Sequence, residues 1–167
     1  MSYDGPGQRR GPKFAAEVRA RQDIPVDAHQ GDPMDFLRRL ESAASAAAQG
    51  DHQERDEYYA KAFDWAVDSR NLFVAWNWLR SGDGDAPGLD GLRYSDIPPH
   101  DTWRFLRGLG QAVVSGEYQP GPLRPVEIPK GPGRGTRTLE LPSIIDRTVG
   151  RAVVQAIRHF VDPGVNL

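Results

Sequence analysis

A mostly helical α+β fold follows from three features of the 167-residue sequence. Apolar residues recur every three or four positions along several stretches between residues 33 and 115, the spacing of a buried helix face. Two short stretches near residues 124–128 and 137–141 instead alternate polar and apolar on either side of a glycine-rich turn, the pattern of a β-hairpin. One further helical stretch follows that hairpin directly, so the expected order is a helical N-terminal part, a hairpin and a closing helix.

Residues 1–32 are rich in Gly, Pro, Asp, Gln and Arg. Only Phe14 to Val18 can start a helix there, and the segment reads as a flexible arm. Asp32-Pro33 has the chemistry of an N-cap followed by proline in the first turn. Phe36, Leu37 and Leu40 give the helical spacing behind it, and Gly50 is its stop. A second helix is expected from Asp51, with Tyr58, Ala62 and Trp65 inward. Asp68-Ser69-Arg70-Asn71 interrupts it, and Ser69 or Asn71 is the expected cap of a fresh helix over 72–79.

Residues 81–91, Ser-Gly-Asp-Gly-Asp-Ala-Pro-Gly-Leu-Asp-Gly, form a loop. Its aspartates lack the Asp-x-Asp-x-Asp-Gly spacing of a calcium loop, and turn chemistry accounts for them. A helix is expected over 101–115, capped by Asp101, with Trp103, Leu106, Leu109 and Val113 as its stripe and Gly116 as its stop. Tyr118-Gln119-Pro120-Gly121-Pro122 then reads as a stiff extended connector. In the hairpin, Val126 and Ile128 share one face, as do Leu139 and Leu141, and Glu127 and Glu140 are expected across from each other. The closing helix begins at Pro142-Ser143 and carries Ile144, Ile145, Val149, Val153, Val154 and Ile157. Arg147, Arg151 and Arg158 are spaced to share a face expected opposite that apolar stripe.

Composition narrows the function classes. The chain is long enough for one ordinary domain. Cysteine is absent, which excludes disulfides, thiolate metal sites and cysteine nucleophiles. Its absence fits a reducing cytoplasm, the compartment expected here. No apolar run reaches the length that spans a bilayer, and the N-terminus lacks the apolar core of a secretory signal, so no membrane role is expected. Residues 118–160 hold seven basic side chains against three acidic ones, a local net of +4 on a chain of net −2, which leaves −6 for the rest. A positive C-terminal third suits an anionic partner.

Lys130-Gly131-Pro132-Gly133-Arg134-Gly135-Thr136-Arg137 is the main candidate site. Glycines permit close backbone approach, and Arg137 can present two parallel donors to phosphate oxygens. The order Gly-Lys-Ser/Thr of a P-loop is missing, as is a helix opening directly behind the turn. A solvated turn with incidental cations has the same composition. Arg124, Arg134 and Arg151 extend the basic set towards a nucleic-acid backbone. The four histidines, His29, His52, His100 and His159, adjoin no nucleophile elbow.

Four motifs in order resemble the start of a bacterial retroelement-type reverse transcriptase, of the group II intron and retron kind. Asn71-Leu72 with Ala75-Trp76 looks like the helix opening those proteins. Gly84-Asp85-Ala86-Pro87-Gly88-Leu89-Asp90-Gly91 is similar to their Gly-x-x-Pro-Gly-x-Asp-Gly loop. Gly116-Glu117-Tyr118-Gln119-Pro120 matches a Gly-x-Tyr-x-Pro helix exit. Arg124 to Lys130 and Arg137 to Pro142, with Asp146-Arg147, look like the fingers hairpin and its following helix. The resemblance covers a little over half of the chain, from about residue 71 to 163.

That resemblance implies a fingers-like region over 82–167; the helical region at 33–81 ahead of it is read from its own apolar spacing, and residues 1–70 are not assigned to the family. It implies that Lys130 and Arg137 contact the triphosphate of an incoming deoxynucleotide, with Arg147 helping to shape the pocket. Pro87, Gly88 and Asp90 would lie in the loop against the template strand. The implied partners are an RNA template with its primer, a deoxynucleotide triphosphate and a polypeptide bearing the palm. Such polymerases hold Mg2+ on palm aspartates, including an aromatic-x-Asp-Asp motif. This sequence contains no Asp-Asp dipeptide. No metal or other cofactor is therefore expected on this chain alone, no catalytic residue is assigned, and the chain by itself is expected not to polymerise.

Overall fold

The computed structural model describes residues 10–20, 31–82 and 84–161. Its order is α1 (Arg10–Ala20), α2 (Pro33–Gln49), α3 (His52–Val67), α4 (Ser69–Gly82), two 3-10 turns (Tyr94–Asp96 and Pro99–Asp101), α5 (Thr102–Val114), β1 (Arg124–Pro129), β2 (Thr136–Leu141) and α6 (Ile144–Val161). The α+β, mostly helical fold is as the sequence predicts.

The helix ends follow from their capping residues. The Asp32 side chain accepts the Met34 N–H at 2.9 Å, and Pro33 opens α2. Asp51 and Glu54 form a reciprocal capping box on α3, each side chain accepting the other residue's backbone N–H at 3.0 Å. Satisfying two otherwise unpaired N–H groups holds the helix start in place. At α4 the expected caps are replaced by Asp68, whose carboxylate accepts the Arg70 N–H at 2.8 Å and whose carbonyl accepts the Leu72 N–H at 2.9 Å. Asn71 is instead fully buried and donates to the carbonyls of Ala66 and Ala152, while its side-chain oxygen accepts from Gln155 at 2.7 Å. Asp101 makes no side-chain cap, because a 3-10 turn already leads the chain into α5.

Trp76 lies at the centre of the main core. It meets Tyr94 edge-on at 4.7 Å between ring centroids and Phe105 at 5.5 Å. Leu72, Ala75 and Leu79 of α4, Leu106 and Leu109 of α5, and Ile144, Ile145 and Ala152 of α6 pack around these rings. Leu92 and Ile97 join from the loop, so this core draws on both sides of residue 82. A second, smaller cluster joins Ala44 and Ala47 of α2 to Tyr58 and Ala62 of α3. The Tyr58 hydroxyl crosses from it to donate to the Ala156 carbonyl of α6 at 2.6 Å.

Three further expectations change. The segment expected as a flexible arm contains α1, whose Ala15 and Val18 are buried in the main core alongside α5. A three-residue apolar spacing was enough to dock one helical face despite the polar composition around it; residues 1–9 and 21–30 lie outside the described residues. On α6 the buried positions are Ile144, Ile145, Thr148, Ala152, Gln155 and Ala156, whereas Val153 and Val154 are 39% and 42% exposed. Beyond Ile144 and Ile145 in its first turn, the inward face is thus made of small and polar residues, because α3 and α4 lie close against it. Finally, Glu127 pairs with Thr138 and Glu140 with Pro125, so the two glutamates are diagonal and not opposite.

Candidate functional site

The hairpin is set by its register. Arg124 faces Leu141, Val126 faces Leu139, and Ile128 faces Arg137. These six form one face, with an arginine at each end of an apolar strip; Pro125, Glu127, Thr136, Thr138 and Glu140 belong to the other. The strands pack chiefly on each other. Leu139 is accordingly 38% exposed, and almost all of β2 is open to solvent.

The turn needs its glycines. Gly131, Gly133 and Gly135 all have positive φ, at 113°, 71° and 72°. Side chains at those angles are strained, so the Gly-x-Gly-x-Gly spacing is a backbone requirement. The Lys130 N–H closes the turn on the Gly135 carbonyl at 2.9 Å, and the Arg134 N–H bonds the Gly131 carbonyl at 3.2 Å. Lys130, Arg134 and Arg137 are exposed around it. Among the described residues no carboxylate lies within ion-pair distance of these three. Arg124 is half-buried at the root of the hairpin.

The loop at 84–91 is fastened to the helical body. The Asp85 carboxylate accepts both the Ser95 hydroxyl at 2.6 Å and the Ser95 N–H at 3.2 Å. The Ser95 hydroxyl is the main reason its pKa falls below the usual carboxylate range. Gly88 is buried, and a Cβ there would lie 2.6 Å from the Ser143 Cα. Gly88 is therefore not available to a template strand; its lack of a side chain lets the loop touch the start of α6. Pro87 beside it is half-buried. Asp90 accepts the Leu92 N–H at 3.2 Å. Burial raises its pKa, the Asp146 charge adds to that, and the Leu92 N–H opposes it.

The arginines of α6, expected on a face opposite the apolar stripe, also turn to the body. Arg147 donates to the Ala86 carbonyl and lies over the Tyr94 ring at 5.7 Å. Arg151 stacks 3.9 Å over Trp78. Arg158 pairs with Glu41 of α2. Arg151 and Arg158 line a cleft of about 670 Å³ with Met34, Leu37, Phe73 and Trp78, which includes no residue of the hairpin or of the 84–91 loop. The structure thus groups Lys130, Arg134 and Arg137 in the turn, and groups Arg147 with the loop instead.

Asp146 was read only as part of the motif that follows the hairpin, with no partner assigned to it. It accepts the Tyr118 hydroxyl at 2.6 Å and the Gly121 N–H at 3.1 Å, while its own N–H donates to the Ser143 hydroxyl at 3.0 Å. Burial, followed by this hydrogen bond, drives the Tyr118 phenol well above its ordinary pKa. The available signal was a lone tyrosine between two turn-forming stretches, at Gly116 and Pro120. Among the described residues, no group of three or more His, Cys, Asp or Glu could hold a metal ion. Among them also, no helix is long and apolar enough to cross a membrane.

No family model matches the chain. Protein YkfC of Escherichia coli strain K12 is 37% identical to it over 79 residues, which is 47% of this chain. The chain spans only about a fifth of the length of that relative, 20% by the matched stretch.

Proposed function

We propose that this chain is the N-terminal fingers portion of an RNA-directed DNA polymerase. It grips an RNA template with its primer and the incoming deoxynucleotide triphosphate, and it depends on a palm-bearing polypeptide for chemistry. The observation that carries this reading is the hairpin, whose turn presents Lys130, Arg134 and Arg137 with no carboxylate within ion-pair distance among the described residues. Exposed cations without partners keep their charge available to phosphates, and each phosphate neutralised releases counterions. Supporting it, the Pro-Gly-Leu-Asp-Gly loop is tied to the helix that follows the hairpin, so two of the four resembling motifs are held as one unit. Val153 and Val154 offer a second polypeptide an apolar strip on the outer face of α6. Mg2+ would arrive with the palm and its aspartates.

Fluorescence anisotropy on an RNA–DNA template-primer tests the reading. The parent chain should bind in low salt, and Lys130→Ala/Arg137→Ala should bind more weakly with a salt slope reduced by about two. Primer extension by the chain alone should give no product. Extension by the chain alone, or no binding at low salt, would overturn the proposal.

A further inference from the structure

Both roots of the hairpin converge on the first turn of α6. On the outgoing side, the Tyr118 N–H bonds the Ala112 carbonyl of α5 at 2.9 Å, which is where the chain leaves the helical body. Residues 119–123 are then exposed as far as β1. Pro120 and Pro122 have no N–H, so Gly121 is the donor between them. Its N–H goes to Asp146, whose other carboxylate oxygen receives the Tyr118 hydroxyl. On the returning side, Pro142 again lacks an N–H, and Ser143 is pressed against Gly88 while its hydroxyl accepts the Asp146 N–H. Since the two strands pack chiefly on each other, the attitude of the hairpin depends on these roots.

We infer that Asp146 is a positioning residue, a carboxylate latch that sets the angle at which the hairpin leaves the body. Its two oxygens bind two points on one root, and its amide is tied to the other root. Hydrogen bonds to a charged carboxylate are the stronger kind, so a single side chain can restrain a proline-stiffened connector. The two prolines keep that connector extended, which makes it a lever. Releasing its one held N–H lets the whole hairpin swing as a rigid arm. The inference deepens the proposed function, because a latched hairpin presents Lys130, Arg134 and Arg137 in one attitude, but its test involves no nucleic acid.

The chain contains no cysteine, so introduced pairs can be labelled uniquely. Nitroxides at Thr138→Cys and Lys61→Cys report hairpin against body; a pair at Gln111→Cys and Lys61→Cys reports the body alone. All three positions are exposed. In the parent, electron-electron distance measurements should give a narrow hairpin–body distribution. Asp146→Ala should broaden it about twofold and speed hydrogen exchange at the Gly121 amide by at least about tenfold, with the body pair unchanged. Tyr118→Phe, which removes one hydroxyl and leaves the ring packed, should broaden it less; it decides the matter should Asp146→Ala not fold. Equal widths in parent and variants, a parent already as broad as Asp146→Ala, or equal broadening of the body pair would each overturn the latch. Failure of the hairpin to bind template-primer would count against the proposed function and leave this measurement untouched.

Discussion

The arginines of α6 and the cations of the hairpin turn are the same chemistry in opposite settings. Arg147, Arg151 and Arg158 each have a protein partner: a carbonyl, an indole and a carboxylate. Among the described residues Lys130, Arg134 and Arg137 have no carboxylate within ion-pair distance, and they project from a two-stranded arm. Charge count alone treats the six alike. What separates them is packing: α6 lies against α2, α3 and α4, so its long side chains fold onto neighbours, whereas the hairpin has little beyond itself to fold onto. Cations held by the body are engaged within the fold, and under the proposed function those on the arm are the ones that meet a ligand.

Substitutions can break that contrast, and the largest effect is expected in the core. Trp76→Ala removes the ring that joins Tyr94 and Phe105, and should cost about 3–5 kcal/mol in urea unfolding. Asn71→Ala strips partners from two buried carbonyls and from Gln155, with an expected loss of about 1–3 kcal/mol by the same measurement. Gly88→Ala drives a methyl into the Ser143 backbone and should cost about 1–3 kcal/mol, read as a lower thermal midpoint. An unchanged midpoint would mean that the loop is not seated on α6.

The smallest expected effect is one of pH. Asp90 has its pKa raised in the folded chain, first by burial and then by the Asp146 charge. The folded state therefore holds that proton more tightly than the unfolded state does. Its contribution favours folding below the ordinary carboxylate value near ~4 and is lost as pH rises through the raised value. Asp90→Asn keeps an oxygen for the Leu92 N–H and removes the charge. Its gain in thermal midpoint over the parent should be larger at pH 7 than at pH 3.5. Equal differences at the two pH values would contradict the assignment.

Particular residues explain what was legible in the sequence. The helix start at Asp51 and the hairpin strands were readable because their signals are local. Gly131, Gly133 and Gly135 could be read as a turn for the same reason. The start of α4 was placed three residues late because Asp68, Ser69 and Asn71 are all good caps, and only tertiary contact with Ala152 and Gln155 draws Asn71 inward. Val153 and Val154 looked like core, since hydrophobicity says nothing of which helix face meets its neighbours. The role of Asp146 was not legible because its partners, Tyr118 and Gly121, lie 28 and 25 residues away. Gly88 was visible as part of a motif, but its contact with Ser143 depends on the packing of loop against helix.

The central claim is that the hairpin cations serve a ligand and not the fold. It is tested most directly by measuring template-primer affinity across a salt series and the thermal midpoint together, on the parent and on Lys130→Ala/Arg137→Ala. The account predicts a salt slope lower by about two with stability changed by less than about 0.5 kcal/mol. An unchanged slope, or a loss of stability comparable to that of Gly88→Ala, would contradict it.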